Sequence, residues 1–241
     1  MTRIAVKGQI WNYQEVGRGD KTPLLILHGW GRSSAEWMGM AKELGRKAYV
    51  IDLPGFGGSS LPEVKSLDEY TDLVVQFCRY MNIKRVIIMC HSLGARVGIV
   101  WASGQEKKMI EKLILVDPAG PKEFSVKRTV LSVLSAIFRF VPEKIRHSVV
   151  GPFLDEDYHR TPTLRRLYRV VVAEDLRGRL SQIKCKTWVI WGEKDKIVPI
   201  SMMDVYKKLL PYPIVRVIWG AGHDPHLSHY LVLKRVLEEA V

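Results

Sequence analysis

Cysteine is scarce in this chain of 241 residues: Cys78, Cys90 and Cys185 are odd in number and far apart. That spacing excludes a disulfide framework and a cysteine-based metal site, and it fits a reducing cytoplasm. Long apolar runs are missing as well. The longest apolar-rich stretch, residues 129–141, is interrupted by Arg139 and falls short of the ~20 residues that cross a bilayer. No stable membrane insertion is therefore expected. The opening residues MTRIAVKGQIWNY alternate apolar and polar side chains without an apolar h-region, so no signal peptide is expected. Internal repeats, low-complexity segments and recognisable nucleic-acid-binding modules are all lacking, and no nucleic-acid partner is expected. Acidic side chains are outnumbered, 25 Asp and Glu against 37 Lys and Arg, for a net charge of +12. Such a balance serves solubility, the steering of an anionic substrate, or an acidic partner.

What is present is an ordinary globular composition, 47% hydrophobic and 26% charged with a mean hydropathy of −0.02. It can bury enough apolar surface to offset the ordering entropy of the chain. The pattern along it alternates strand and helix. Residues 4–11 alternate as a strand that pairs antiparallel with the next segment. Residues 24–27 are a short, fully apolar strand, 86–89, 113–116 and 187–191 are strands of the buried kind, and 48–53 and 214–218 are further short strands. Residues 67–81, 93–102 and 231–240 carry helical spacing, the first with Leu67, Tyr70, Leu73, Val74, Phe77 and Met81 on one face. Buried strands alternating with helices predict an α/β fold, a mostly parallel sheet flanked by helices. Between Val116 and Thr187 the alternation stops and helical patterns dominate, notably at 126–140 and 164–173. So long an insertion predicts a folded helical cap over residues 121–180, set into a core of residues 1–120 and 181–241.

The chemistry-bearing residues sit where strands end. Cys90-His91-Ser92-Leu93-Gly94 follows one buried strand and opens a helix. A serine on such a sharp strand-to-helix turn presents its hydroxyl at the C-terminal edge of the sheet, and the residues two positions away must be small. Gly94 satisfies this. Cys90, with a Cβ, is expected to crowd the turn slightly. A serine nucleophile needs a base, and the base needs an acid to fix its tautomer. His223 follows the last strand in Gly220-Ala221-Gly222-His223. Asp195 follows the strand before it, in Trp191-Gly192-Glu193-Lys194-Asp195, and Asp117, at the end of 113–116, is a rival acid at the same edge. Asp224, next to the base in sequence, is badly placed to orient it. His226 and His229 read as surface or cap-contact residues. An oxyanion hole needs two backbone N–H groups, and Leu93 and Trp30 are the candidates. His28, Trp30 and Phe138 are expected to touch substrate. No metal and no organic cofactor is implied.

Together these elements resemble the α/β-hydrolase fold superfamily, in its capped serine hydrolase and carboxylesterase branch. The resemblance covers nearly the whole chain except the cap. Serine at the elbow argues against the dehalogenase and epoxide hydrolase branches, which use aspartate there. The runs His28-Gly29-Trp30-Gly31, Asp52-Leu53-Pro54-Gly55-Phe56-Gly57 and His223-Asp224-Pro225-His226-Leu227-Ser228-His229 are similar to those of pimeloyl-ACP methyl ester carboxylesterases. The same runs occur in unspecialised carboxylesterases and in carbon–carbon bond hydrolases acting on diketone-like substrates. The resemblance thus implies hydrolysis of a small-molecule ester through an acyl-enzyme, with carbon–carbon cleavage and a non-catalytic receptor as the alternatives. Residues 121–180 hold twelve Lys and Arg against seven Asp and Glu, and a basic cap of this kind could dock an acidic acyl carrier or be a solvated face. The apolar residues of 130–140 are too many for one helix face, and are expected to line an acyl pocket as well as pack on the core.

Overall fold

A computed structural model of the chain describes residues 1–122 and 162–241. In chain order the strands of this part are β1 (Thr2–Val6), β2 (Gln9–Val16), β3 (Leu24–Leu27), β4 (Ala48–Ile51), β5 (Val86–His91), β6 (Ile110–Val116), β7 (Lys186–Gly192) and β8 (Ile214–Ile218). They make one 8-stranded sheet in the order β1-β2-β4-β3-β5-β6-β7-β8. The β1–β2 and β2–β4 pairings are antiparallel, and every pairing from β4 to β8 is parallel. The helices are α1 (Met38–Glu43), α2 (Leu67–Tyr80), α3 (Leu93–Ser103), α4 (Arg165–Val172), α5 (Arg177–Leu180), α6 (Met203–Leu209), α7 (Pro225–Ser228) and α8 (Tyr230–Ala240).

The continuous apolar strands are explained by cover on both faces. Successive strand side chains point to opposite sides. Leu25, Leu27, Ile88, Cys90, Leu113, Leu115, Val189 and Trp191 pack in one core with the apolar stripes of α2, α3 and α6. Their neighbours Leu24, Ile26, Ile87, Met89, Ile114, Val116, Trp188 and Ile190 pack in a second core with α1 and α8.

Local chemistry sets the element ends. Ser66 caps α2 by accepting the Glu69 N–H at 3.1 Å, and Asn82, at φ 54°, ends the turn that follows the helix. The buried stripe of α2 runs through Leu67, Tyr70, Val74 and Phe77 as expected, but is completed by Thr71, Val75 and Cys78, while Leu73 and Met81 lie only partly buried beside it. The strand expected over residues 4–11 is two strands. Lys7 and Gly8 take φ of 50° and 79°, the left-handed pair of a two-residue hairpin whose twist matches its strands. The alternation simply continues through this turn, so periodicity alone runs across it.

Residues 123–161, including Phe138 and the whole helical pattern at 126–140, lie outside the described residues. The stems on either side are described, and they are stitched to the core. Arg96 on α3 is 5% exposed and has no carboxylate partner among the described residues. Its guanidinium donates instead to the carbonyls of Gly120 (2.9 Å), Val171 (2.6 Å) and Glu174. One buried cation therefore ties the chain entering residues 121–161 to the chain leaving them. Asp175 adds a second tie, accepting from the Lys122 and Arg177 backbone N–H groups at 3.2 Å each. Leu167, Tyr168, Val171 and Leu180 belong to the main core rather than to a separate one.

Candidate active site

Ser92 joins the last residue of β5 to the first residue of α3 with φ 49° and ψ −111°. A non-glycine residue in so sparsely populated a region costs about 1–3 kcal/mol unless its surroundings over-determine it. Here the Ser92 N–H donates to Val116 O at 3.2 Å, and the Ser92 carbonyl accepts from Ala95 at 3.0 Å and Ala119 at 3.3 Å. The helix must also start close against β3. A Cβ on Gly94 would stand 2.5 Å from the Leu27 carbonyl oxygen, so only glycine fits.

Cys90, expected to crowd this turn, does not. Its side chain is fully buried and points along α3, where a Cβ on Gly98 would come within 2.6 Å of its sulfur. The space the thiol needs is left by a glycine one helical turn beyond the elbow. Burial pushes the Cys90 thiol well above its usual range, so it is a packing group and no rival nucleophile. Overpacking costs about 1–3 kcal/mol. Gly98→Ala is expected to lose about that much in urea unfolding, and most of the loss should vanish in a Cys90→Gly background. Equal losses in both backgrounds would show that the two sites are not coupled.

His223 lies in the loop between β8 and α7. Its Nε2 is 2.9 Å from the Ser92 Oγ, and its Nδ1 is 2.7 Å from the Asp195 Oδ2. The other Asp195 oxygen accepts the Ile197 and Val198 N–H groups at 2.8 and 3.0 Å. Of the two carboxyls weighed from sequence, Asp195 is the one hydrogen-bonded to His223. Asp117 is fully buried nearby, with its Oδ1 accepting the Gly192 N–H at 2.7 Å. Asp224 pairs with Arg32 at 2.6 Å, and its other oxygen lies 3.8 Å from His91 Nε2.

One positioning residue was inside the elbow motif but not singled out by sequence reasoning. His91 Nε2 lies 2.8 Å from the His223 carbonyl oxygen, so with its proton on Nε2 it donates there and pins the His223 backbone. His91 is 1% exposed, and burial, followed by the nearby His223 and His226, lowers its pKa well below the ordinary imidazole value. It is held neutral, as a donor that adds no charge beside His223. His226, expected at the surface or against the cap, is also buried, among core residues. Its ring stacks on Trp37 at 4.4 Å between centroids, with Nε2 3.3 Å from Glu36.

The two candidate oxyanion donors sit on segments that meet at Ser92. Leu93 is the first residue of α3, so its N–H has no intrahelical acceptor and shares the positive end of the helix dipole. The loop carrying Trp30 approaches from β3: a Cβ on Gly29 would lie 3.3 Å from Ser92 Cβ. The Trp30 ring stands edge-on to Phe56 at 4.9 Å and to Tyr168 at 5.0 Å, an aromatic wall drawn from three separate segments. His28 is different from what was expected. It is 1% exposed, and its Nε2 accepts the Leu53 N–H at 2.9 Å while Nδ1 donates to Gly29 O at 2.7 Å. Both ring nitrogens are occupied by backbone, so His28 shapes the loop and offers substrate no free face. Phe138 lies outside the described residues.

A sheet of this order, with a serine elbow, an acid and a histidine at three strand ends, invites comparison with known families. A family-wide sequence profile described as the alpha/beta hydrolase family matches residues 24–234. The chain belongs to the alpha/beta hydrolase family. This hydrolase is 26% identical to Lipase 1 of Psychrobacter immobilis, across 94% of its own chain and 81% of the lipase. It is 25% identical to the pimeloyl-[acyl-carrier protein] methyl ester esterase of Wigglesworthia glossinidia brevipalpis, across 89% of its chain and 92% of the esterase. Among solved structures, the meta-cleavage product hydrolase of Pseudomonas fluorescens superposes with a TM-score of 0.75 at 20% identity, covering 99% of this chain and 96% of that one. The last likeness is one of fold. No helix among the described residues of the hydrolase is long and apolar enough to cross a membrane.

Proposed function

We propose that this hydrolase cleaves carboxylic esters, with Ser92 as nucleophile, His223 as base and Asp195 as the acid that orients it. The observation that carries this reading is the unbroken hydrogen-bond chain Ser92–His223–Asp195, at 2.9 and 2.7 Å. Two of its relatives named above, a lipase and a methyl ester esterase, add to the case for an ester. His223 Nε2 takes the Ser92 proton as Oγ attacks the carbonyl carbon. The oxyanion is held by the N–H groups of Leu93 and Trp30. His223 then hands its proton to the leaving alkoxide, and an acyl-Ser92 ester remains. Water, deprotonated by His223, attacks that ester and releases the acid and the free serine. The acyl chain lies on the Trp30–Phe56–Tyr168 wall, beneath a helical cap built from residues 121–180. The cap's surplus of basic residues offers a docking face to an acidic acyl carrier. The free Cys78, Cys90 and Cys185 fit a reducing cytoplasm.

A series of p-nitrophenyl esters from acetate to laurate, run beside an acyl-carrier methyl ester and a vinylogous diketone, tests the reading. Ester turnover that favours the longer acyl chains is expected. Turnover of the diketone with negligible ester activity would replace it with carbon–carbon cleavage. A kcat/KM on the carrier-bound methyl ester no better than on the free methyl ester would remove the carrier.

A further inference from the structure

Asp117 is a buried carboxyl that the proposed mechanism does not use. It ends β6 in the left-handed region, at φ 42°, with its N–H donating to Ile190 O at 2.9 Å. Its Oδ1 accepts one hydrogen bond, from Gly192, and its Oδ2 is buried with no donor reaching it. Among the described residues no lysine or arginine pairs with it. An ionised carboxylate in that setting leaves lone pairs desolvated and unmatched, which is costly. A protonated one needs an acceptor for its O–H. The acceptor is at hand: ligating atoms of Asp117, Asp195 and His223 all lie within 4.8 Å of one another.

Two buried carboxylates with oxygens within 4.8 Å of each other repel, and burial disfavours a full charge on both. Donor counts decide which one keeps the proton. Asp195 receives two backbone N–H groups and the His223 ring nitrogen, whereas Asp117 receives one backbone N–H. The groups facing Asp117 are Asp195 on the β7–α6 loop, and His223 and Asp224 on the loop after β8. From α6, the Tyr206 hydroxyl donates to the neighbouring Pro118 carbonyl.

We propose that Asp117 is a neutral hydrogen-bond donor to the Asp195 carboxylate, a positioning residue that holds the acid in place and moderates its charge toward His223. Burial first, then repulsion from Asp195 and Asp224, pushes the Asp117 carboxyl up to about 9 against the pull of the Gly192 N–H. The inference rests on the triad reading above. It deepens that reading by giving the acid a partner of its own. The Asp117 O–H draws charge away from Asp195, which weakens its hold on the imidazolium.

The test compares wild type, Asp117→Asn and Asp117→Leu by the pH profile of kcat/KM on one p-nitrophenyl ester. Asparagine still has an N–H to donate, so its acidic limb should coincide with that of wild type. Leucine removes the donor, and its limb should move up by about half a pH unit or more. A limb that moves down in Asp117→Asn would mean that a negative charge had been removed, and would overturn the proposal. An unmoved limb in Asp117→Leu would overturn it too, by reducing Asp117 to packing.

Thermal midpoints against pH give a second reading, should the leucine variant fail to fold. A folded-state pKa raised above the unfolded value means that the folded chain keeps a proton the unfolded chain has shed. Stability from this group therefore falls as pH rises from about 4 to about 9. Asp117→Asn lacks that loss, so its midpoint should gain on wild type steadily between pH 5 and pH 8.5. A gap that stays constant would overturn the proposal. Retained turnover in Ser92→Ala would instead sink the triad reading, and the midpoints would still judge the Asp117 proton.

Discussion

Asp195→Asn is expected to lower kcat on an ester by about three to four orders of magnitude while the circular dichroism spectrum and unfolding cooperativity stay those of wild type. The size of the loss follows from the geometry of the acid. In wild type, Asp195 Oδ1 takes the Ile197 and Val198 N–H groups and Oδ2 takes His223 Nδ1. In the asparagine variant the two backbone donors claim the amide oxygen, because the amide nitrogen cannot accept. The NH2 group then faces His223 and forces Nδ1 to become the acceptor. The proton moves to Nε2, where it points at Ser92 Oγ, and the serine has lost its base. Shape and packing are unchanged, since the two side chains are isosteric. Steady-state kinetics of Asp195→Asn and Asp117→Asn side by side decide the matter. A collapse of kcat in Asp117→Asn with Asp195→Asn nearly unaffected would move the acid to the end of β6.

Ser92→Ala is expected to remove about six orders of magnitude in kcat, as losses of a triad serine do, and to abolish covalent labelling by a fluorophosphonate probe. A circular dichroism spectrum like that of wild type separates loss of the nucleophile from loss of the fold, because an unfolded chain would also fail to label. The same position carries strain that the substitution does not relieve. Alanine at φ 49° and ψ −111° is as disfavoured as serine, whereas glycine is not. Ser92→Gly should therefore unfold at a higher temperature than Ser92→Ala, although both are inactive. Probe incorporation into Ser92→Ala at the wild-type rate would show that another residue is the nucleophile, and with it the proposed chemistry would fall.

Much of this arrangement is legible in particular residues. The run at 24–27 matches its strand end to end, because a strand buried on both faces leaves no polar position to blur its limits; the run at 214–218 also matches its strand, although that one lies at the sheet edge with Arg216 exposed. Asp195 and His223 follow such strands, so the order of elements brings them to the edge where Ser92 sits. The hairpin at Lys7-Gly8 was hidden because alternation has the same period on both sides of a two-residue turn. The short α1 and α6 were not read at all, as six or seven residues hold too few turns to show a helical period. His28 and His226 were misjudged because a histidine's burial depends on which backbone or carboxylate it meets, and both meet theirs across more than twenty residues of chain.

The sequence by itself determined the sheet, the family and the strand-to-helix turn that carries Ser92. These rest on local signals, such as apolar runs, glycines at forced positions and the strand-to-helix turn, that need no knowledge of distant contacts. Tertiary structure alone decided which carboxyl meets His223, how Cys90 is accommodated, and which histidines are buried. Each of those is set by side-chain contacts of about 2.7–3.3 Å that exist only once the chain has folded. Asp117 and Asp195 end neighbouring strands and look alike in sequence. Only the backbone donors folded around each one separate them.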